Sequence, residues 1–438
     1  MIVPNCFLKW EKRLFALGLL CLIVLPIHDI FNWIFSSTPL IIWKQILAFI
    51  LFAFFTKHLF AKHNYALPER AAIRSLMIIV LTSTIVATVF SLIQGMSVQR
   101  IVYAIIAYCG FIGAIGFAQS IHTLRKFHLV CEMAAIMALV CCCGLIMDYF
   151  TGYLDFLPRD SGIGIEEQLH GDHLRRASFL FGTSTVALPY ISFGIVASLF
   201  LCQDCARRIH ALYAPILLCV APFAIFLTGS RSQLFLLLLL YFFLFMIFFK
   251  SLLSMKTVIY VAVGVMALSS LNSIKFVNYG QIPNLLERFE AGYEANAEGN
   301  DVRFEGWGKG ARLIDDFGIN SITGIGIGSS LGMVNDGHRI TGHYESSFFQ
   351  SFSEAGIFGL IIRYASFVYA VFLLLTVKKK TAMHLSLVAW FIVYFISVFS
   401  APTASAYHTQ FVYYFATGLT ILLTKSSVYR DWSKYKAH

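Results

Sequence analysis

Long apolar runs alternate with short polar links along the whole chain. A transmembrane helix needs about 20 mostly apolar residues, and twelve such runs can be marked out. They cover 14–34, 40–60, 75–95, 101–119, 127–149, 177–202, 210–228, 232–249, 257–273, 347–377, 384–400 and 408–424. The pattern predicts an all-α polytopic integral membrane protein of about 12 transmembrane helices, built as a single membrane domain over residues 1–438.

The run 347–377 is longer than one crossing requires. Gly356 and Gly359 lie near its beginning, and glycine inside a membrane helix often marks a break in the backbone. We therefore expect the tenth predicted helix to begin with a kinked or re-entrant stretch.

Two links are too long to be simple turns, namely 150–176 and 274–346. Loops of this length within a compact domain are usually functional. The larger link joins predicted helices nine and ten and contains a predicted surface helix at 302–317, where apolar residues recur at helical spacing. These residues are Phe304, Trp307, Ala311 and Ile314.

Lysine and arginine collect in every second link. Cationic loops resist translocation, so links rich in these residues stay in the cytoplasm. With a cytoplasmic N-terminus, seven inner segments hold 20 of the 33 basic residues, whereas the outer links 35–39 and 401–407 hold none. This orientation predicts that both termini are cytoplasmic and that both long links lie on the opposite face.

The composition excludes an ordinary soluble domain, because 58% of the residues are hydrophobic and only 13% are charged. The net charge of +10 is spread over short links beside helices, so anionic membrane lipids are the expected partner and no nucleic acid is expected. We expect no cleavable signal peptide, since the first apolar run has no small-residue cleavage site. The ten cysteines fall in predicted helices or inner segments, and their spacing predicts neither disulfides nor a metal site.

Two arginines are candidates for binding an anionic group. Arg231, in Thr228-Gly-Ser-Arg231, falls at the outer turn between predicted helices seven and eight. Its guanidinium offers planar donors suited to phosphate oxygens, although an interfacial anchor would explain it as well. Arg303 precedes Trp307 by one helical turn, and it could equally belong to a solvated helix face.

His343 and Glu345 come just before the tenth predicted helix and could each act as a base. His343 could also be a structural hydrogen-bonding residue. The stretch 324–328 has glycines spaced like a nucleotide loop, but no strand precedes it, so we interpret it as a flexible turn. Inside helices, Lys44 and Arg363 are candidates for a polar cavity, and snorkelling at a helix end explains Lys44 equally well.

Together these segments resemble the O-antigen ligase and polymerase superfamily of bacterial envelope glycosyltransferases. The order of the segments and the large loop before the tenth helix agree with that family. Residues 175–182 look similar to another outer segment of it. The segments that carry the resemblance are Thr228-Gly-Ser-Arg231, Arg303-Phe-Glu-Gly-Trp307, Gly324-Ile-Gly-Ile-Gly328, the His343 segment and Glu354-Ala-Gly-Ile-Phe-Gly359.

The resemblance implies transfer of a glycan from undecaprenyl diphosphate to a hydroxyl of an acceptor sugar, without metal or other cofactor. The reaction would take place at the periplasmic face of the bacterial inner membrane. Arg231 and Arg303 would bind the diphosphate, and Arg176 would add a further contact. His343 or Glu345 would orient or deprotonate the acceptor hydroxyl.

Ligases of this family usually have Asn directly after the histidine, whereas Tyr344 stands there in this chain. That difference favours a polymerase, which joins lipid-linked repeat units, over a ligase, which transfers the glycan to lipid A core. A polymerase of this family would be expected to work with a flippase and a chain-length regulator. A polysaccharide flippase or transporter is a more distant alternative, disfavoured because no internal repeat is visible and the distinctive polar residues lie on one face.

Overall fold

The computed structural model describes the greater part of the chain. The described residues are 5–36, 38–60, 68–151, 177, 179–181, 186–204, 209–228, 230–252, 320–329, 346–378, 380–400 and 406–425. Every regular element within these ranges is a helix.

Fourteen α-helices and two short 3₁₀ turns lie in the described ranges. The 3₁₀ turns are Leu25–Ile27 and Pro39–Ile42. The α-helices are α1 (Asn5–Val24), α2 (His28–Phe35), α3 (Trp43–Leu59), α4 (Pro68–Ile93), α5 (Val98–Cys109), α6 (Ala114–Gln119), α7 (Leu124–Thr151), α8 (Ala187–Asp204), α9 (His210–Leu227), α10 (Arg231–Leu252), α11 (Asn320–Thr323), α12 (Ser347–Thr376), α13 (Ala382–Ser400) and α14 (Tyr407–Lys425).

Seven stretches of the described chain are long and apolar enough to cross a membrane. They are Trp10–Phe35, Glu69–Ile93, Val98–Gln119, Leu124–Phe150, His210–Leu227, Ser347–Thr376 and Ala382–Phe399. The prediction of an all-helical membrane protein is confirmed for these residues. The count of twelve crossings stays a prediction, and the predicted run 257–273 lies outside the described residues.

The sixth predicted helix begins later than its hydropathy indicates. The apolar run starts at residue 177, but α8 starts at Ala187. Phe179 has a φ of +46°, which is incompatible with a right-handed helix, and the Ala177 N–H donates to Leu227 O of α9 at 3.0 Å. Pro189 falls in the first turn of α8, where its missing N–H costs no helical hydrogen bond.

Helix α12 is broken near its start, as the glycines predict. Ala355 and Gly356 leave the helical conformation, and Gly356 has a φ of +54°, which glycine adopts without steric penalty. At Gly359, a Cβ atom would lie 2.2 Å from Ser351 O. The two glycines therefore have different roles. Gly356 provides the positive φ at the break in α12, and Gly359 allows the first turns of α12 to pack closely against the part of the helix after the break.

The bundle has a buried centre and an apolar surface. Residues 187–201 of α8 and 408–423 of α14 are buried throughout. Large apolar side chains on α4 and α10 are instead exposed, including Ile78, Ile85 and Phe235 at 64–65%. Such a surface suits lipid rather than water, because lipid tails solvate apolar groups without cost.

Described residues that flank links predicted on one face lie at one end of the bundle. At this end, Gln94 donates to Gly324 O at 2.8 Å, and the Ser346 hydroxyl donates to Val398 O at 3.4 Å. We call it the Gly326 end, after the glycine at its centre.

The opposite end holds the links predicted to be cytoplasmic. The Glu11 carboxylate lies 3.0 Å from Nε2 of His122, and Arg70 contacts His58. Lys57 lies 3.5 Å above the Trp10 ring. We call it the Glu11 end, and its basic side chains agree with the positive-inside pattern.

Candidate functional site

The link between α9 and α10 forms a compact turn at the Gly326 end. The buried Thr228 hydroxyl donates to Ile225 O at 2.6 Å and accepts the Ser230 N–H at 3.3 Å. The Ser230 carbonyl accepts the Leu234 N–H at 3.1 Å, so that Ser230 caps the helix and Arg231 is its first residue. An arginine at a helix N-terminus lies beside free N–H groups and the positive end of the helix dipole, which favours an anion there. The structure describes the backbone of Arg231, not its side chain.

Gln233 fixes this turn to the neighbouring helix. Its side chain is 2% exposed, and its Oε1 accepts the Leu188 N–H at 3.1 Å. Leu188 lies in the first turn of α8, where backbone N–H groups have no helical acceptor. The beginnings of α8 and α10 are thus held together by a side chain that satisfies a donor that would otherwise be unpaired.

The chain before α8 approaches the same turn. Ala177 is fully buried, and its N–H donates to Leu227 O, the residue just before Thr228. Arg176 itself lies outside the described residues. Its neighbour Ala177 is bonded to Leu227, which precedes Arg231 by four residues in the sequence.

A second polar centre lies beside the kink in α12. Glu354 is fully buried, and its Oε2 accepts the Tyr108 hydroxyl at 2.7 Å. The side-chain amide of Gln350 donates to Oε1 at 3.4 Å. The Arg363 guanidinium carbon lies 4.1 Å from the centre of the Tyr108 ring. A carboxylate inside a membrane bundle is costly unless it is hydrogen-bonded, and Tyr108 and Gln350 supply two hydrogen bonds here.

The glycine-rich segment 324–328 packs on this kink. Ile325 and Gly326 donate their N–H groups to the carbonyls of Ser353 and Glu354, each at 2.9 Å. These are carbonyls that the break in α12 removes from helical pairing. The Ile327 N–H donates to the Ser91 hydroxyl at 2.8 Å.

This segment is therefore a turn, as predicted, and its backbone is hydrogen-bonded to α12 and α4. Its glycines have positive φ values of +70°, +112° and +86° at 324, 326 and 328. A Cβ at Gly324 would lie 2.4 Å from Ala355 N. Glycine is needed here because two backbones approach closely. The N–H groups of residues 325–327, which a phosphate would require, are already bonded to two carbonyls and a hydroxyl.

Lys44 and Arg363, the predicted cavity residues, are both buried. Lys44 is 6% exposed, and its Nζ lies 4.9 Å from the centre of the Tyr407 ring at the Gly326 end. Arg363 is 3% exposed and lies over Tyr108. Lys44 thus points into the bundle, which argues against simple snorkelling to the surface.

Four of the predicted site residues lie outside the described residues: Arg176, Arg303, His343 and Glu345. The predicted surface helix 302–317 also lies outside them. Ser346, which follows Glu345, is described and buried, and its hydroxyl accepts the Phe349 N–H at 3.5 Å as the N-cap of α12. The described neighbours of Arg176 and Glu345 and the backbone of Arg231 therefore all lie at the Gly326 end.

The sequence indicated only part of the second polar centre. Glu354 is the acidic residue of an otherwise apolar run and was visible as part of a family-like segment, but its sequence context gave it no role. Tyr108 is one of 20 tyrosines and sits in a helix distant in sequence. Its pairing with Glu354 depends on tertiary packing alone.

Residues 214–364 match the protein-family model described as O-antigen ligase. Over this region, the chain is similar to that family. The match covers about one third of the 438 residues, from α9 into α12, and includes Arg231, Arg303 and His343. It confirms the family resemblance predicted from the motifs. The comparison with curated proteins gives no match, and neither does the comparison with solved structures.

Proposed function

We propose that the chain is a polysaccharide polymerase of the inner membrane. It transfers a growing glycan from undecaprenyl diphosphate onto a sugar hydroxyl of a lipid-linked repeat unit. The observation that carries this proposal is that the Arg231 turn and the described neighbours of Arg176 and Glu345 lie at the same end of the bundle, the Gly326 end. The family match over residues 214–364 supports the same class of reaction.

The arginines bind the leaving diphosphate in this proposal. Arg231 stands at the start of α10, and Arg176 directly precedes the residue bonded to Leu227. Arg303 is the third cation. As the glycosidic bond to the diphosphate breaks, negative charge grows on the phosphate oxygens, and fixed guanidinium groups stabilise that charge more than they stabilise the bound donor.

His343 or Glu345 serves the acceptor. The acceptor hydroxyl gives its proton to one of these bases while its oxygen forms a new bond to the anomeric carbon of the donor. The bond between that carbon and the diphosphate oxygen breaks, and the diphosphate stays on its lipid. Both candidate bases lie within three residues of Ser346, the N-cap of α12.

The lipid tail of the donor needs an apolar path along the bundle. A groove of about 600 Å³ runs between α4 and α12. Its lining is almost entirely apolar and includes Leu76, Ile79, Ile361, Ala365 and Val368. We propose that this groove accepts part of the polyprenyl tail, with the active site on the periplasmic side and both termini in the cytoplasm.

A ligase is the second candidate, because the matching family model is described as O-antigen ligase. In that case the acceptor is lipid A core, while the donor chemistry and the arginines are unchanged. Tyr344 after the histidine favours the polymerase.

The surface polysaccharide of a deletion strain separates these possibilities. Loss of a polymerase leaves single repeat units on the surface acceptor. Loss of a ligase leaves the acceptor bare and long chains on the lipid carrier. Loss of a flippase leaves lipid-linked repeats on the cytoplasmic side. An unchanged polysaccharide would contradict all three.

A further inference from the structure

Arg70 lies in the first turn of α4, at the Glu11 end of the bundle. It is only 3% exposed, although its neighbour Ala71 is exposed and Glu69 is partly exposed. The stretch of α4 that is apolar enough to cross a membrane begins at Glu69. This helix turn therefore lies at the membrane boundary, and the guanidinium of Arg70 is folded inward from it.

The Arg70 guanidinium has fewer hydrogen bonds than its burial requires. One nitrogen, Nη2, donates to Nε2 of His58 on α3. Within the part of the chain that the structure describes, Nε and Nη1 are buried without a hydrogen-bond partner. Buried donors without an acceptor cost free energy, and in native structures such groups call for a bound water or ion.

His58 accepts this hydrogen bond but does not balance the charge of Arg70. Because Nε2 of His58 is the acceptor, the ring is neutral and carries its proton on Nδ1. Glu11 lies on that other side of the ring: its Oε1 is 4.0 Å from Nδ1 of His58 and 3.0 Å from Nε2 of His122. The imidazole ring therefore stands between the guanidinium and this carboxylate.

The surroundings of Arg70 favour an anion. Arg74 follows one turn later on α4, and the exposed Lys57 precedes His58 at the end of α3. Glu69 and Glu11 are the opposing charges that act on Arg70. The N-terminus of α4 adds backbone N–H groups without helical acceptors and the positive end of the helix dipole. Phosphate fits this set of donors, because its several oxygens accept charge-assisted hydrogen bonds from a guanidinium and from helix N–H groups.

We propose that Arg70 and the first turn of α4 bind a phosphate group at the membrane surface of the Glu11 end. The phosphate oxygens accept hydrogen bonds from Nε and Nη1 of Arg70 and from N–H groups of the turn. Two sources supply this chemistry, namely the headgroup of an anionic phospholipid and free phosphate. The site is at the opposite end of the bundle from the Gly326 end, so it does not depend on the proposed glycosyl transfer.

The test measures the thermal midpoint of the full-length protein in phosphatidylcholine nanodiscs, with and without phosphatidylglycerol. The wild type should gain about 3 °C or more from phosphatidylglycerol, because a ligand that binds the native state stabilises it. Arg70→Gln should lose this gain. In phosphatidylcholine alone, Arg70→Gln should be at least as stable as the wild type, since it removes a buried charge with unpaired donors. An equal loss of stability in both lipids would mean that Arg70 is only a structural partner of His58, and would overturn the proposal.

Arg125→Gln is the matched control. Arg125 also lies in the first turn of a long helix at the Glu11 end, α7, but it is exposed. Arg125→Gln should keep the gain from phosphatidylglycerol. If both variants lost it, the lipid would act through general surface charge, and the site would be refuted. Arg70→Lys keeps the charge without the planar fork, so it should retain part of the gain and serves as a second variant at the site.

Inorganic phosphate, added to phosphatidylcholine nanodiscs at constant ionic strength, separates the two sources. A gain in the wild type that Arg70→Gln abolishes would assign the site to free phosphate. A gain from phosphatidylglycerol alone, again abolished by Arg70→Gln, would assign it to the lipid headgroup. If neither compound gave a gain that depends on Arg70, the proposal would be wrong.

Discussion

The hydroxyl of Tyr108 donates a 2.7 Å hydrogen bond to the carboxylate of Glu354, joining α5 to the kinked helix α12 inside the bundle. The two residues are 246 positions apart in sequence. Their contact fixes the break in α12 against a helix from the first half of the chain, outside the region that matches the family model.

Replacing Tyr108 with Phe removes this donor and leaves the buried carboxylate with fewer hydrogen bonds. We expect Tyr108→Phe to lower the free energy of unfolding by about 1–3 kcal/mol, measured as a lower thermal midpoint in detergent. Tyr103→Phe is the control, because Tyr103 lies on the same helix and is 39% exposed. Equal midpoints for the two variants would mean that the Tyr108 bond contributes nothing to stability.

Comparing Gly324→Ala with Gly95→Ala separates the effect of a close backbone contact from the effect of backbone strain. Both have positive φ, at +70° and +81°, but a Cβ at Gly324 would meet Ala355 N at 2.4 Å, whereas nothing lies within 4 Å of a Cβ at Gly95. Gly95→Ala should therefore cost only about 1 kcal/mol of strain. Gly324→Ala should cost more and should also slow chain extension, as followed by the length of the polysaccharide on gels. A Gly324→Ala protein as stable and active as Gly95→Ala would show that the contact with α12 is dispensable.

Arg231→Ala and Arg303→Ala should each reduce chain extension by about 100-fold or more, the usual effect of removing a group that stabilises transition-state charge. Insertion and expression should be unchanged. Arg13→Ala serves as control, since Arg13 lies 5.0 Å from the Trp10 ring at the Glu11 end. Wild-type extension in both of the first two variants would rule out their role as diphosphate ligands.

His343→Ala and Glu345→Ala should differ if only one of them is the base. We expect His343→Ala to abolish chain extension, because a histidine beside cations and water can accept a proton near neutral pH. Donor binding, measured by protection of the protein against heat, should persist in the inactive variant. If Glu345→Ala is inactive and His343→Ala retains activity, the carboxylate is the base.

Filling the groove between α4 and α12 should weaken binding of the donor's lipid tail and leave the rest of the reaction unchanged. Ala365→Trp adds a large ring to the groove lining, so it should raise the KM for a donor with a full-length polyprenyl tail. A donor with a short tail should be used as well as by the wild type. Ile78→Trp is the control, since Ile78 is 64% exposed on α4 and is not part of the groove lining. If Ala365→Trp changed the KM equally for the long-tailed and the short-tailed donor, the tail would not bind in this groove.

The apolar pattern predicts most of the described helices, because lipid demands both a minimum length and internal backbone pairing. It fails at Ala177 and at residues 179–181, which are buried or half-buried but lie outside α8. That failure has a tertiary cause: Asp148 and Leu227 bind the N–H groups of Phe179 and Ala177, and Phe179 takes a left-handed φ that ends any helix there. Hydropathy measures burial, and this segment is buried without being helical.

The glycines of α12 show the opposite case, in which the residue type alone is sufficient to predict the structure. Gly356 lies at the predicted break because few other residues tolerate its φ. The role of Glu354 could not be predicted in the same way. Its partners come from α5 and from α12 itself, and no spacing in the sequence relates Tyr108 to Glu354.

The hydrogen bonds of Ile325 and Gly326 to α12 have a consequence for the segment that follows them. Ser329 follows this segment, Ser346 is the N-cap of α12, and 16 residues separate the two in the sequence. Whatever path those residues take, His343 is three peptide units from Ser346, so its Cα stays within about 11 Å of the N-cap of α12. Covalent attachment alone thus keeps the Cα of His343 near this end of the bundle, which is where the proposed function needs a base.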